Sequence, residues 1–356
     1  MSSSRLCQFV ALTLALASTG CVLHVHRDLE PPPGFTYTPT TRGDPAFSDD
    51  APADPLSIRF SAPMDTTRTH EIVHFEYGSS GRNGHPQNIV EGLYFRSRDP
   101  GPRKLVVVMP IWGTSSYPPD KVSHGYARHA GKDTDVIWIY GTAPLFPWGP
   151  LRNTRTEAEF TAMARDSAEA YRATVVDMRR LIDWAETRPE IDASRIAFVG
   201  FSMSALVTAT LLGNDDRIHA AVLMMGAANY ADVFATCGDK AGAVRDHVMQ
   251  NFGWTLDQYR DFFHGLFDRA DPTRYAGHYD PDKILFIDAM YDHCMPESAR
   301  AALWEVTGRP ERITLLYEHR HAFYSITPLG LNFMRRKIYH FLDAALETGT
   351  DSNRPH

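Results

Sequence analysis

Apolar positions along the chain follow two spacings, and the change from one to the other at residues 196–213 organises the rest. Residues 196–199, Ile-Ala-Phe-Val, are an unbroken apolar run, the pattern of a strand buried on both faces of a parallel sheet. Gly200 then permits a sharp turn. Beyond Ser202, Ala205, Leu206, Ala209 and Leu212 recur every three or four residues, which predicts a helix ending near Gly213. Ser202 therefore sits where a strand becomes a helix. Such a corner exposes the hydroxyl above the sheet edge and points the first helical N–H groups at any negative charge developing beside it.

The same reading extends in both directions. Alternating or apolar runs at 56–60, 72–77 and 89–95 predict strands, with glycine- and serine-rich turns between the last two. The uninterrupted run 105–109 predicts a central strand, and another follows at 136–140. Residues 156–187 predict a helix through Tyr171, Val175, Met178, Leu181, Ile182 and Ala185, stopped by Pro189. Further strands are expected at 220–225, 284–289 and 313–317, and a last helix at 331–346. Alternation of strand and helix implies an α/β fold, a mostly parallel sheet with helices on both faces. Between the strands at 220–225 and 284–289 lies an aromatic, largely helical insertion, about 230–280, long enough to need its own structure and placed to cap the sheet edge.

Composition narrows the classes. The 356 residues, 43% hydrophobic and 11% aromatic, suffice for a large core. A formal net charge of −7 with no Lys/Arg stripe gives no reason to expect nucleic-acid binding. His264, His278, His293 and His319 have no metal-ligand spacing, and His24 and His26 at the head of a polar segment read as solvated residues, so no metal is expected.

With those motifs set out, the segment Gly200-Phe201-Ser202-Met203-Ser204 resembles the Gly-x-Ser-x-Gly nucleophile elbow of the α/β-hydrolase superfamily. Ser204 replaces the last glycine. If its side chain crowds the elbow, Ser204→Gly should preserve or raise activity. Met290-Tyr291-Asp292-His293-Cys294-Met295-Pro296 resembles the superfamily's acid turn, with Asp292 on the acid position, and Glu318-His319-Arg320-His321-Ala322-Phe323 is similar to the Gly-His-x-Phe ending of the dienelactone hydrolase and prolyl oligopeptidase branches, which selects His321. The order Ser202, Asp292, His321 is the superfamily's own. His319 is the rival base, and Asp232 and Asp288 are rival acids. An unassisted serine is a poor nucleophile, so a base must take its proton and a carboxylate must orient the base. The resemblance implies a serine hydrolase without cofactor, cleaving a carboxylic ester with an apolar moiety, with backbone N–H groups of Met203 and of Trp112, or else Ile111, as the oxyanion hole. Trp112, Tyr117, Tyr140, Phe146 and Trp148 are candidates for the pocket wall. A prolyl oligopeptidase-type serine peptidase and a non-catalytic, hydrolase-fold binding protein of the cell envelope are the alternatives, since fold alone does not establish activity.

The ends of the chain concern location. Residues 1–20 carry one positive charge and then an apolar run, the form of an export signal. Small residues before Cys21 resemble the bacterial lipoprotein box, which implies a lipid anchor, palmitate among its acyl chains, on Cys21 at an envelope membrane. Ordinary signal cleavage and an uncleaved anchor are the alternatives. Residues 21–55, rich in Pro and Asp, read as a tether, 56–347 as the domain and 348–356 as a tail. Export permits a disulfide between Cys237 and Cys294, with two separate buried thiols as the alternative. The oligomeric state is left open.

Overall fold

The structure is a computed structural model and describes residues 24–25, 29–30, 37, 43–48, 56–80, 89–112, 117–142, 144–316 and 332–347. Among these residues, eleven strands form one sheet: β1 (His24–Val25), β2 (Arg59–Phe60), β3 (Asp65–Thr66), β4 (His70–Gly78), β5 (Ile89–Ser97), β6 (Arg103–Val108), β7 (Thr134–Ile139), β8 (Ile191–Phe201), β9 (Ile218–Met224), β10 (Ile284–Ala289) and β11 (Glu311–Leu315). The α-helices are α1 (Pro119–Ala130), α2 (Trp148–Arg152), α3 (Glu157–Glu186), α4 (Met203–Asn214), α5 (Tyr230–Thr236), α6 (Asp239–Phe252), α7 (Leu256–Phe267), α8 (Glu297–Val306) and α9 (Asn332–Glu347).

Strand order is β1-β11-β10-β9-β8-β6-β7-β5-β4-β2, with β3 beside β4. The six strands from β11 to β7 run parallel, and antiparallel strands close both edges. Successive side chains of a strand point to opposite faces, and β6 shows this directly. Leu105, Val107 and Met109 enter the core shared with α3, α4 and the insertion, whereas Val106 and Val108 enter the core under α1 and α9. All six β6 positions are buried, 105–108 as an uninterrupted apolar run predicts for a strand covered twice, and Arg103 and Lys104 with ion-pair partners in Asp135 and Asp133.

The long helix expected at 156–187 is α3, opened by Thr156, whose side chain accepts the Glu159 N–H. Three helices were not among the expected elements, the short α2 and the longer α1 and α8. The buried faces of α1 and α8 mix small residues, Ser123, Gly125 and Ala127 in one and Ala299, Ala301 and Ala302 in the other, with few large apolar ones, Val122 and Tyr126, and Leu303 and Val306. The insertion is helical, as expected: α5, α6 and α7 lie between β9 and β10. Its rings Phe234 and Phe263 stack at 4.4 Å, and Phe160 of α3 meets Trp254 at 5.7 Å and Phe262 at 5.8 Å.

The segment expected to be a tether is different where it is described. Leu29 and Phe47 are buried in the main core. Arg179 donates to the Phe47 carbonyl at 2.6 Å, Arg172 to the Ala46 carbonyl at 3.2 Å, and the Asp44 N–H donates to Asn214 at 3.0 Å. Residues 43–48 are thus docked on α3 and α4 rather than acting as a spacer. One buried aromatic and a few backbone carbonyls do this, which a Pro- and Asp-rich composition conceals.

Candidate active site

Ser202 lies between the last residue of β8 and the first of α4 with φ 53° and ψ −116°, a backbone conformation costly for any residue with a side chain. Hydrogen bonds hold it there. Its N–H donates to the Met224 carbonyl at 2.8 Å, and its carbonyl accepts the Ala205 N–H at 2.9 Å. Gly200 makes the turn sterically possible, since a Cβ there would sit 2.5 Å from the Ser204 carbonyl oxygen and 2.8 Å from the Ala205 Cα. Ser204 has a part that the pentapeptide comparison hides. Fully buried, its Oγ accepts the Phe201 N–H at 2.7 Å and donates to the Phe201 carbonyl at 3.1 Å, so the side chain braces the residue preceding Ser202.

Sheet register brings the segments of Trp112 and Asp292 to the same edge. β6 neighbours β8 with Val108 opposite Val199, and the Met109 N–H donates to the Val199 carbonyl at 2.9 Å. Ile111 and Trp112, both half-buried, therefore leave the sheet beside the serine corner. A Cβ on Gly141, at the exit of β7, would lie 3.2 Å from the Trp112 Cα, so that exit confines Trp112 closely. Met203 opens α4, and its N–H belongs to the helical turn that has no intrahelical acceptor.

Asp292 follows β10, which is separated from β8 by β9. Its carboxylate is buried, and Oδ1 accepts the N–H groups of Cys294 and Met295, each at 2.8 Å, which fixes its orientation. His321 and its rival His319 lie outside the described residues, as does Cys21. The described end of β11 nevertheless stands beside the acid turn, because the Met290 N–H donates to the Leu315 carbonyl at 2.8 Å. Both rival acids are engaged in ion pairs. Asp288 is buried between Arg300 at 2.6 Å and Arg312 at 3.0 Å, and Asp232 meets Arg260 at 2.7 Å.

One feature was left open by the sequence and two lay beyond it. Cys237 and Cys294 form a disulfide with S–S 2.04 Å, so of the two open alternatives the structure has the bond. Arg300, besides its ion pair, donates through Nε to the Met295 carbonyl at 2.9 Å and so supports the acid turn from α8. Tyr230, at the start of α5, donates to the Leu206 carbonyl of α4 at 2.8 Å and accepts from the Tyr171 hydroxyl at 3.1 Å, tying the insertion to the helix that carries the elbow. Burial pushes both phenols up, so they stay neutral donors. Of Cys237, Cys294, Arg300 and Tyr230, only Cys294 stands in a motif, the acid turn.

Of the aromatic candidates, Phe146 and Trp148 stack at 4.9 Å and meet Phe234 of the insertion, whereas Tyr140 turns to Trp138 at 4.9 Å. An open groove of about 450 Å³ lies between the segment after β7 and α6, lined by Phe146, Pro147, Trp148, Arg152, Lys240 and Ala243 among others. Its walls follow the carboxyl ends of β7 and β9, the strands flanking β6 and β8. Among the described residues, no three His, Cys, Asp or Glu side chains are grouped to hold a metal ion.

The architecture is that of the α/β-hydrolase fold, a mostly parallel sheet between helical layers with the serine corner at its centre. Among solved structures, the chain is similar to acetyl xylan esterase 1 from Thermoanaerobacterium sp. JW/SL YS485, with TM-score 0.60 and 14% identity over 87% of this chain and 96% of that one. It is also similar to the acetyl xylan esterase from Paenibacillus sp. R4, with TM-score 0.59 and 16% identity over 86% and 97%. The S-formylglutathione hydrolase from Agrobacterium tumefaciens aligns with TM-score 0.51 and 14% identity over 80% and 98%. No family model and no curated protein matches the sequence. At such identities the likeness establishes the fold, and the chemistry rests on the site.

Proposed function

We propose that this chain is a serine hydrolase that cleaves carboxylic esters through an acyl-enzyme on Ser202. The observation that carries the reading is the left-handed backbone of Ser202 at a strand-to-helix corner, a conformation retained only where the surroundings enforce it and one that exposes a nucleophile above a sheet edge. In the mechanism, His321 removes the Ser202 hydroxyl proton as Oγ attacks the ester carbonyl carbon, and Asp292 orients the imidazole and stabilises its protonated form. The N–H groups of Met203 and Trp112 receive the oxyanion, worth about 3 kcal/mol of barrier per donor. His321 returns the proton to the departing alcohol, and water, activated by the same base, releases the acid.

Two of the similar structures are acetyl xylan esterases, so acetyl is the first acyl group to test. The apolar groove beside Phe146 and Trp148 is the proposed seat of the substrate's apolar moiety. We propose, too, that the protein is exported and anchored through lipid on Cys21, a location that the Cys237–Cys294 disulfide favours. A fluorophosphonate probe should label the wild type at Ser202 and leave Ser202→Ala unlabelled, and p-nitrophenyl acetate should be turned over only by the former. A folded protein that neither reacts with the probe nor hydrolyses any ester of a graded acyl series would sink the reading in favour of a binding protein. Preferential cleavage of peptide amides would favour the peptidase.

A further inference from the structure

The acid turn and the helical insertion are joined by a covalent bond at the residue that orients the acid. Cys237 directly follows α5, and Cys294 stands two residues after Asp292. Cys294 is bonded in two ways at once: its sulfur to Cys237, and its N–H to Asp292 Oδ1 at 2.8 Å. Beside the disulfide, the Gly238 N–H donates to the His293 carbonyl at 3.0 Å. The insertion's half of the junction is itself held, since Arg245 donates to the carbonyls of Ala235 at 2.9 Å and Cys237 at 3.3 Å. On the other side, Arg300 holds the Met295 carbonyl, while the Met295 N–H completes the pair of donors on Asp292.

We propose that the Cys237–Cys294 disulfide is a positioning element of the active site, locking the turn that aims the Asp292 carboxylate so that turnover depends on this pair being oxidised. The proposal rests on the reading of Asp292 as the catalytic acid. The turn 290–296 runs from the end of β10 to the start of α8; Tyr291 and His293 within it are exposed, and its packing in the main core comes from Met295, one residue past Cys294. Arg300 and the start of α8 secure its far end. The disulfide secures the residue that donates the first N–H. Breaking it with a dithiol transfers two electrons and two protons to the pair, giving two thiols and the cyclic disulfide of the reductant. The turn then keeps its local hydrogen bonds and loses its covalent attachment to the insertion, leaving the Gly238 N–H to His293 carbonyl bond as a remaining link. A carboxylate displaced by a fraction of an ångström orients its base poorly, which lowers kcat far more than it raises KM.

The test measures kcat and KM of the full chain on p-nitrophenyl acetate for the oxidised protein, the protein reduced with dithiothreitol, and the Cys237→Ser/Cys294→Ser variant, each with Asp292 and with Asp292→Asn. Loss of the bond should lower kcat by about tenfold to a hundredfold with little change in KM, and reoxidation should restore it. With Asp292→Asn, the same loss should change kcat less than about twofold, because the bond acts through the acid. An undiminished kcat after reduction overturns the proposal, as does an equal fall in both backgrounds, which would mark a merely structural bond. If Asp292→Asn alone leaves kcat intact, the acid assignment fails first. Should the double variant not fold, reduction of the folded wild type, followed by circular dichroism, still reads the effect.

Discussion

Ser204→Gly would turn the elbow into the superfamily's own pentapeptide, and the structure predicts that the change is harmful. Ser204 is fully buried and accepts the Phe201 N–H at 2.7 Å. Removing the hydroxyl deprives a buried backbone donor of this acceptor, at about 1–3 kcal/mol, and glycine in the first turn of α4 adds up to about 1 kcal/mol of backbone entropy, a loss of about 1–4 kcal/mol together. With an unfolding entropy of about 0.6 kcal/mol/K for roughly 300 ordered residues, Tm should fall by roughly 2–6 °C. Ser204→Ala isolates the hydrogen-bond part, because it removes the oxygen without loosening the backbone, and should produce the larger share of the drop. Differential scanning calorimetry gives the stability. Ester turnover well below the midpoint gives the function, expected to fall because the brace adjoins the strained Ser202. A Ser204→Gly protein with unchanged or raised Tm and turnover would refute the reasoning and show that crowding by the side chain outweighs its bonds.

Two other perturbations probe the scaffold. Arg103 and Asp135 form a buried pair at 2.8 Å, with Asp135 also taking the Ser97 N–H at 2.7 Å and the Tyr94 hydroxyl, so Arg103→Met, which leaves the carboxylate buried without its cation, should cost about 3–5 kcal/mol in urea unfolding. Burial pushes the Asp215 carboxyl up, but the hydrogen bond and charge of Arg217, with Arg179, outweigh it and hold the carboxyl below the usual range. A carboxyl depressed in the folded state contributes stability that is complete above its unfolded value near 4 and is lost as pH falls through its folded value. Asp215→Asn should therefore lower the urea midpoint at neutral pH and narrow its gap from the wild type in acid, and a gap that stays constant with pH would contradict the assignment.

Much of the fold was legible because parallel strands buried on two faces must be apolar throughout, and long amphipathic helices must repeat. The run 284–289 coincides with β10, and 156–187 with α3 to within a residue at each end. Helices α1 and α8 were not read from the sequence, since each is short and buries only a few large apolar side chains, Val122 and Tyr126 in one and Leu303 and Val306 in the other, among Gly, Ser and Ala. In the site, Ser202 and Asp292 stood out because a turn directly after a strand can be recognised locally. Ser204 looked like a flaw, because a pentapeptide does not reveal that its hydroxyl turns back to the Phe201 backbone. Asp232 and Asp288 stood as rival acids behind Asp292, and their arginine partners, Arg260 for one and Arg300 and Arg312 for the other, could not be read from the sequence.

Sequence by itself determined the alternation of elements, the strand-to-helix corner at Ser202 and the order in which the candidate residues follow, all properties of neighbours within a few positions, where period and turn chemistry act. Tertiary structure alone decided the strand order that sets β6 and β10 on either side of β8 and β9. It also decided the docking of residues 43–48 and the bond between Cys237 and Cys294. These depend on groups far apart along the chain meeting in space, and their energies are absent from any local window of the sequence.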